Sequence, residues 1–83
     1  MTLSEQDIIW LKEQCDDTAG TLVSIKILID IVEYFMNLNR TKLNQCDIAW
    51  IDRKIDISSA GSGYLVKTNT VKYIVEHFLE KYK

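Results

Sequence analysis

The chain has 83 residues, of which 47% are hydrophobic and 27% charged, with no proline and three glycines. This composition excludes a disordered tail, a collagen-like repeat and a linker. A chain of this length buries roughly 63% of its unfolded surface when it folds, so one domain with one small core is expected over residues 1–83. The formal net charge of −2 makes the whole chain a poor electrostatic match for nucleic acid or an anionic membrane.

Charge is unevenly distributed along the chain. Residues 1–39 hold seven acidic and two basic side chains, a balance of −5, whereas residues 40–83 hold eight basic and five acidic ones, a balance of +3. Either this is ordinary surface variation, or the two halves face different partners or pair head to tail in an oligomer.

The cysteines and the apolar segments indicate a cellular location. Cys15 and Cys46 lie far apart and outside any C-x-x-C spacing, so two buried free thiols are expected rather than a disulfide framework. The first residues lack the basic and apolar regions of a signal peptide, and the most apolar stretch, residues 22–38, contains three charged side chains. We therefore expect a cytoplasmic protein that does not enter the membrane.

The first predicted helix covers about residues 4–18, with Ser4 or Thr2 as its cap. At 100° per residue its core face carries Ile8, Leu11 and Cys15. Trp10 falls on the opposite side, so this tryptophan is predicted to lie off the core.

The second predicted helix covers residues 21–38, with Thr21 as its cap. Of residues 22–38, 12 of 17 are apolar, and the polar stripe is narrow: Lys26, Asp30, Glu33 and Asn37. A helix that is apolar over so wide an angle must be surrounded. Either the other helices wrap it or part of it meets a second subunit. We favour a homodimer whose interface is formed by Leu22, Ile25, Ile29, Val32 and Met36.

The third predicted helix covers residues 44–57, capped by Asn44, and is apolar on two sides, which indicates a sandwiched position. A small, flexible loop at residues 58–63 and a β-prone segment at residues 64–68 follow. The fourth helix, residues 70–82, has one clear apolar stripe. The chain is thus predicted to be a compact all-α domain of four helices with a short extended piece near residues 64–68, and no internal repeat is evident.

No motif specifies a catalytic chemistry. A thiol or zinc site built from Cys15, Cys46 and His77 lacks both a local activating group and the paired short spacings of zinc ligands. The loop at residues 61–63 follows a helix, whereas a phosphate-binding glycine loop follows a strand. We therefore expect a protein that is not an enzyme, with no catalytic residue, metal or cofactor.

Trp10, Trp50 and Tyr73 all fall away from the main apolar stripe of their helices, and exposed aromatic side chains of this kind anchor protein interfaces. Alternatively, neighbouring helices cover them. The favoured function is a small regulator or inhibitor, of the immunity or anti-host-factor type, that binds another protein through a helical surface. The predicted partner-binding residues are Trp10, Glu13, Asp17, Trp50, Arg53 and Tyr73.

Two segments suggest a different function. Gln-x-x-Ile-Ala at residues 45–49 and Thr-Val at residues 70–71 resemble the openings of the two helices of a helix-turn-helix, although the segment between them is longer than the usual turn of 3–4 residues. The resemblance implies a DNA-binding transcriptional regulator that uses its C-terminal helix. The side chains facing DNA would then be Lys67, Thr68, Asn69, Thr70, Lys72 and Tyr73.

Overall fold

A computed structural model describes residues 2–15, 19–38, 42–59 and 63–82. In chain order the elements are α1 (Glu5–Gln14), β1 (Thr21–Val23), α2 (Ile25–Asn37), α3 (Gln45–Ile57), β2 (Tyr64–Val66) and α4 (Thr68–Lys81). The predicted helical domain of four helices, with a short extended piece near residues 64–68, is confirmed.

Two of the helices begin at the predicted caps. The Ser4 side chain accepts a hydrogen bond from the Asp7 N–H, and the Asp7 carboxylate accepts one from the Ser4 N–H. Asn44 and Asp47 make the same reciprocal pair at the start of α3. Each capping box satisfies N–H groups that the first helical turn leaves without an intrahelical partner, which fixes where the helix begins.

The start of the predicted second helix is a strand. β1 pairs antiparallel with β2, and Leu22 lies opposite Leu65. Ser24, rather than Thr21, caps α2. The prediction that Thr21 and Leu22 belong to the helix is therefore wrong. The apolar run from Leu22 into α2 hid the boundary, because a short apolar strand cannot be distinguished from a helix by periodicity alone.

One hydrophobic core joins the helices and the two strands. Its largest fully buried side chains include Phe35 and Phe78, from the middle of α2 and α4. Cys15 is buried as predicted, but Cys46 is exposed, so the prediction of two buried thiols is wrong for Cys46. Cys46 is the second residue of α3 and lies roughly opposite the face that buries Ile51 and Ile55.

The order of elements reveals an internal repeat, and the expectation that the chain has none is wrong. The units α1–β1–α2 and α3–β2–α4 follow one another. Residues 3–11 align with 43–51, and residues 20–35 align with 63–78, with 11 of 25 aligned residues identical. The offset rises from 40 to 43 residues because α3, with 13 residues, is three residues longer than α1, which has 10. We call residues 3–38 the first repeat and residues 43–81 the second.

The two repeats are related by an approximate two-fold axis. The axis passes through the pair Leu22 and Leu65, which occupy the same position in each repeat and lie opposite each other in the sheet. Gly20 and Gly63, also equivalent, both have positive φ, and a Cβ on either would collide with a backbone carbonyl of the opposite strand. Glycine is required twice for the same reason, since only a residue without a Cβ allows this approach.

The symmetry extends into the core. Of the eight buried hydrophobic residues of the first repeat, seven have a buried counterpart in the second. The buried face of α2, formed by Leu28, Ile31, Val32 and Phe35, matches the buried face of α4, formed by Val71, Ile74, Val75 and Phe78. Each repeat therefore supplies the covering that the other needs, and the buried face of α2 is covered within one chain.

Candidate functional site

Trp10 packs against α4, the last helix of the other repeat. Its ring stacks on His77 with centroids 3.8 Å apart and meets Phe78 edge-on at 5.4 Å. The Tyr73 ring lies 6.3 Å away and is exposed. Trp10 is half-buried and packs against the core, so it contributes to the contact between repeats while keeping part of its ring at the surface.

Trp50 makes the equivalent contact in the opposite direction. Its ring stacks on Tyr34 of α2 with centroids 4.5 Å apart and meets Phe35 edge-on at 5.3 Å. It is also half-buried. The two tryptophans, 40 residues apart, thus perform the same packing role on the two sides of the molecule.

Exposed apolar side chains occur on the two segments that meet at the Tyr34–Trp50 contact. Tyr34 is 45% exposed, and Leu38, one turn further along the chain, is 41% exposed. Ile57, which lies two turns from Trp50 on the same side of α3, is 75% exposed. We call these four residues the Trp50 face. The basic side chains of Arg53 and Lys54 lie one turn after Trp50 and border it.

The equivalent surface around Trp10 is polar. Where the Trp50 face has Tyr34 and Leu38, the second repeat has His77 and Lys81. Where α3 has Arg53 and Lys54, α1 has Glu13 and Gln14. Tyr73 is an exception, because at this position α4 has the aromatic residue and α2 has a charged one, Asp30. We call the residues Trp10, Glu13, Tyr73 and His77 the Trp10 face.

Five of the six predicted partner-binding residues lie on or beside these two faces: Trp10, Glu13 and Tyr73 on the Trp10 face, Trp50 on the Trp50 face and Arg53 at its border. Trp10 and Glu13 are the repeat counterparts of Trp50 and Arg53. Glu13 and Arg53 are both exposed. Asp17 lies outside the described residues. Tyr34 and Leu38 were missed, because they were counted as part of an evenly apolar helix; aligning α2 with α4 would have singled them out.

The predicted dimer residues divide into three groups. Ile25, Ile29 and Met36 lie along one side of α2 and are half-buried; we call them the α2 flank. Leu22 is half-buried in β1. Val32 is fully buried inside the chain, so it offers no surface to a second subunit.

The residues of the DNA-binding alternative all lie at the start of α4. Lys67, Asn69 and Tyr73 are exposed, and Thr68, Thr70 and Lys72 are partly exposed. The Lys72 ammonium lies 3.9 Å from the Glu76 carboxylate, and the Thr68 hydroxyl donates to Asp52 at 2.6 Å. β2 precedes α4 directly, so a paired strand stands where a helix-turn-helix has its tight turn.

Asp7 is a buried carboxyl group whose pKa folding lowers markedly, and sequence reasoning did not single it out. It is buried, and besides its capping role it accepts hydrogen bonds from the Tyr82 hydroxyl and, at 2.6 Å, from the Lys81 ammonium. Burial opposes ionisation, but the hydrogen bonds from Lys81, Tyr82 and Ser4 outweigh it and hold the pKa of Asp7 well below its usual range.

Folding also changes the pKa of the two side chains that donate hydrogen bonds to Asp7. Its hydrogen bonds raise the pKa of Lys81 and that of Tyr82 above their ordinary values. A carboxylate held ionised by this many donors is poorly suited to exchange protons near neutral pH. The hydrogen bonds instead join the start of α1 to the end of α4, and we call Asp7, Lys81 and Tyr82 the clamp.

The groups considered for thiol or metal chemistry are separated. The Cys15 thiol donates to the Leu11 carbonyl at 3.3 Å in the core, Cys46 is on the surface, and His77 is covered on one side by Trp10. Among the residues that the structure describes, no group of three or more His, Cys, Asp or Glu side chains could hold a metal ion. Within the same residues, no helix combines the length and the apolar character needed to cross a membrane.

Comparison of the chain with protein-family models, with curated proteins and with solved structures finds no match.

Proposed function

We propose that the chain is a small, non-enzymatic regulator or inhibitor that binds other proteins through the surface of its first repeat and of α3. The observation that carries this proposal is the difference between two helices with the same structural role. At five partly or fully exposed positions α2 and its C-cap residue are apolar where α4 is polar or charged: Ile25, Ile27, Ile29, Tyr34 and Leu38 correspond to Thr68, Thr70, Lys72, His77 and Lys81.

The second repeat serves as an internal control for the first. α4 buries the same face as α2 against the same core while carrying polar residues at those positions. The fold of a single chain thus accepts polar residues at these positions, although Ile25, Ile27 and Ile29 pack their inner sides against the core. Apolar surface that the fold does not need favours a role in association.

We also propose that the α2 flank joins two copies of the chain. In an antiparallel pair of α2 helices around a two-fold axis, Ile29 would pack near its own equivalent, and Lys26 of one copy would face Glu33 of the other. Lys26 is exposed and Glu33 is half-buried with one carboxylate oxygen on the Leu3 N–H, 3.0 Å away. An apolar contact bordered by opposite charges fits a self-complementary interface.

Sedimentation equilibrium of the full chain tests the homodimer. The wild type should have twice its 9.6 kDa mass. The variant Ile25→Thr/Ile29→Lys carries the residue types found at Thr68 and Lys72 of α4. It should remain folded by circular dichroism, and its dimer dissociation constant should be at least about tenfold higher than that of the wild type. Ile9→Lys, which changes an exposed isoleucine of α1, is the matched control and should leave the dimer intact. A wild type that stays monomeric would contradict the proposal.

No specific observation favours the DNA-binding alternative over protein binding. A fluorescence titration with random duplex DNA at low and moderate salt separates the two proposals, because a DNA-binding protein shows salt-dependent affinity even without its specific site. We expect no binding at low salt.

A further inference from the structure

We infer that two copies of the chain exchange repeats when the chain folds at high concentration, so that the first repeat of each copy pairs with the second repeat of the other. The surface involved is the contact between the repeats, and the structure itself shows what covers it. This inference does not rest on the proposed protein-binding function, and it concerns a different surface from the α2 flank.

Each repeat contributes a helix that packs on the last helix of the other repeat. Trp10 of α1 stacks on His77 of α4 with centroids 3.8 Å apart, and the clamp joins the same two helices. Trp50 of α3 stacks on Tyr34 of α2 at 4.5 Å, and β1 pairs with β2. The first repeat of one copy would find all of these partners in the second repeat of another copy.

The sequence that joins the repeats does not impose a turn. Residues 39–42 read Asn-Arg-Thr-Lys and include neither glycine nor proline. By contrast, the connection inside each repeat contains a glycine of positive φ that the sheet requires, Gly20 or Gly63. The C-cap of α2, Leu38, has right-handed helical φ and ψ, whereas many helices end at a left-handed glycine. Opening this linker therefore sacrifices no residue that a turn demands.

The exchange keeps the contacts between repeats, so its main cost is the entropy of joining two chains. A short flexible linker holds a repeat at an effective concentration of about 1 mM near its partner. A second copy competes with the chain's own repeat once the chain concentration approaches that value. Domain swapping is for this reason a low-cost route to dimers. The dimer should separate slowly, because the core shared by the repeats must open first.

The partner copy contributes residues to both aromatic faces. The Trp50 face combines Tyr34 and Leu38 of the first repeat with Trp50 and Ile57 of the second. In the exchanged dimer these two pairs belong to different copies. Each Trp50 face of the dimer is therefore a joint surface, which neither copy completes alone.

A disulfide across the sheet distinguishes exchanged chains from closed ones. Leu22 and Leu65 lie directly opposite each other in the antiparallel pair. The Cα atoms of such residues are about 4.5–5.5 Å apart, within the range of about 4.4–6.8 Å found for disulfides. The full-length variant Leu22→Cys/Leu65→Cys also carries Cys15→Ala and Cys46→Ser, which remove the native thiols. Oxidation then links the new pair within one chain in the closed form and between two chains in the exchanged form.

The variant is unfolded in urea and refolded either at about 1 mM or at about 1 µM, and the dilute sample is then concentrated to about 1 mM. Both samples are oxidised and compared by denaturing electrophoresis without reductant. We expect at least about fivefold more disulfide-linked dimer in the sample refolded at high concentration. The concentrated sample is the matched control, because collisions of closed chains and contacts through the α2 flank occur in both samples.

Linker length gives a second measurement. Inserting about six Gly and Ser residues after Arg40 should lower the linked fraction several-fold, and deleting Arg40 and Thr41 should raise it, since short hinges favour swapping. A third measurement needs no new cysteine. The chain with Ile25→Thr/Ile29→Lys, refolded in the same two ways, should contain a dimer by light scattering that persists on dilution only after refolding at high concentration.

Three results would overturn the inference: no dimer by either method after refolding at about 1 mM, equal amounts of linked dimer in the two samples, or a linked fraction that linker length leaves unchanged. None of these results bears on the α2 flank. A dimer formed by that flank consists of closed chains, in which the disulfide lies within each chain, and its test is sedimentation of the wild type and of Ile25→Thr/Ile29→Lys.

Discussion

Truncation of either tryptophan should destabilise the protein to a similar extent. The sequence predicts Trp10 off the core and in a partner-binding surface, a position at which Trp10→Ala would leave the fold intact and weaken only partner binding. The structure leads to a different expectation, because Trp10 and Trp50 each stack on one ring of the other repeat and meet a buried phenylalanine edge-on.

The magnitude follows from burial and ring contacts. An indole buries about 150–250 Å² in an interior. At about 25 cal/mol per Å², half of that area corresponds to roughly 2–3 kcal/mol. Aromatic pairs add about 0.5–1.5 kcal/mol, so Trp10→Ala and Trp50→Ala should each cost about 3 kcal/mol. Domains of this size have unfolding free energies of roughly 4–12 kcal/mol, so both variants should fold with a reduced margin.

Urea unfolding followed by far-ultraviolet circular dichroism measures the loss. Trp10→Phe and Trp50→Phe are the matched controls, since each keeps a ring at the contact and should recover about half of the loss. If either alanine variant loses less than about 1 kcal/mol, the ring contacts contribute little to the fold. A difference of more than about 2 kcal/mol between the two would contradict the equivalence of the two contacts.

Other predictions concern the clamp and the sheet. Asp7→Asn should cost about 2 kcal/mol at neutral pH and more than Asp47→Asn, which affects the equivalent capping box in α3. Because folding lowers the Asp7 pKa, the contribution of Asp7 to the free energy of unfolding is complete above its unfolded pKa of about 4 and is lost as the pH falls further. In urea unfolding, the free energies of the wild type and of Asp7→Asn should therefore converge in acid. Gly20→Ala and Gly63→Ala should each cost about 2–3 kcal/mol in thermal unfolding, since both glycines have positive φ and face the opposite strand; an unchanged midpoint would refute the close approach.

The parts of the fold that could be predicted are those with a local cause. Ser4 and Asn44 marked helix starts because a short polar side chain three residues before an aspartate forms a capping box whatever the tertiary structure. The apolar stripe of α4 predicted its buried face because every third or fourth side chain recurs on one side of a helix.

The parts that were missed depend on residues distant in sequence. β1 is a strand because β2 pairs with it, and a three-residue segment carries too little periodicity to reveal that. The ionised state of Asp7 depends on Lys81 and Tyr82, more than 70 residues away. The Trp50 face was half-predicted: Trp50 and Arg53 stood out on α3, whereas Tyr34 and Leu38 were hidden in an evenly apolar helix.

The repeat changes how the apolar excess of α2 is interpreted. A helix that is apolar nearly all round raised two explanations, covering by neighbouring helices and association with another molecule. Because α4 occupies the equivalent place with polar residues at five of those positions, the two explanations apply to different residues of one helix. Leu28, Ile31, Val32 and Phe35 are covered within the chain, as their counterparts are. The counterparts of Ile25, Ile29, Tyr34 and Leu38 are polar or charged, and it is for the exposed parts of these four side chains that we propose contacts with other molecules.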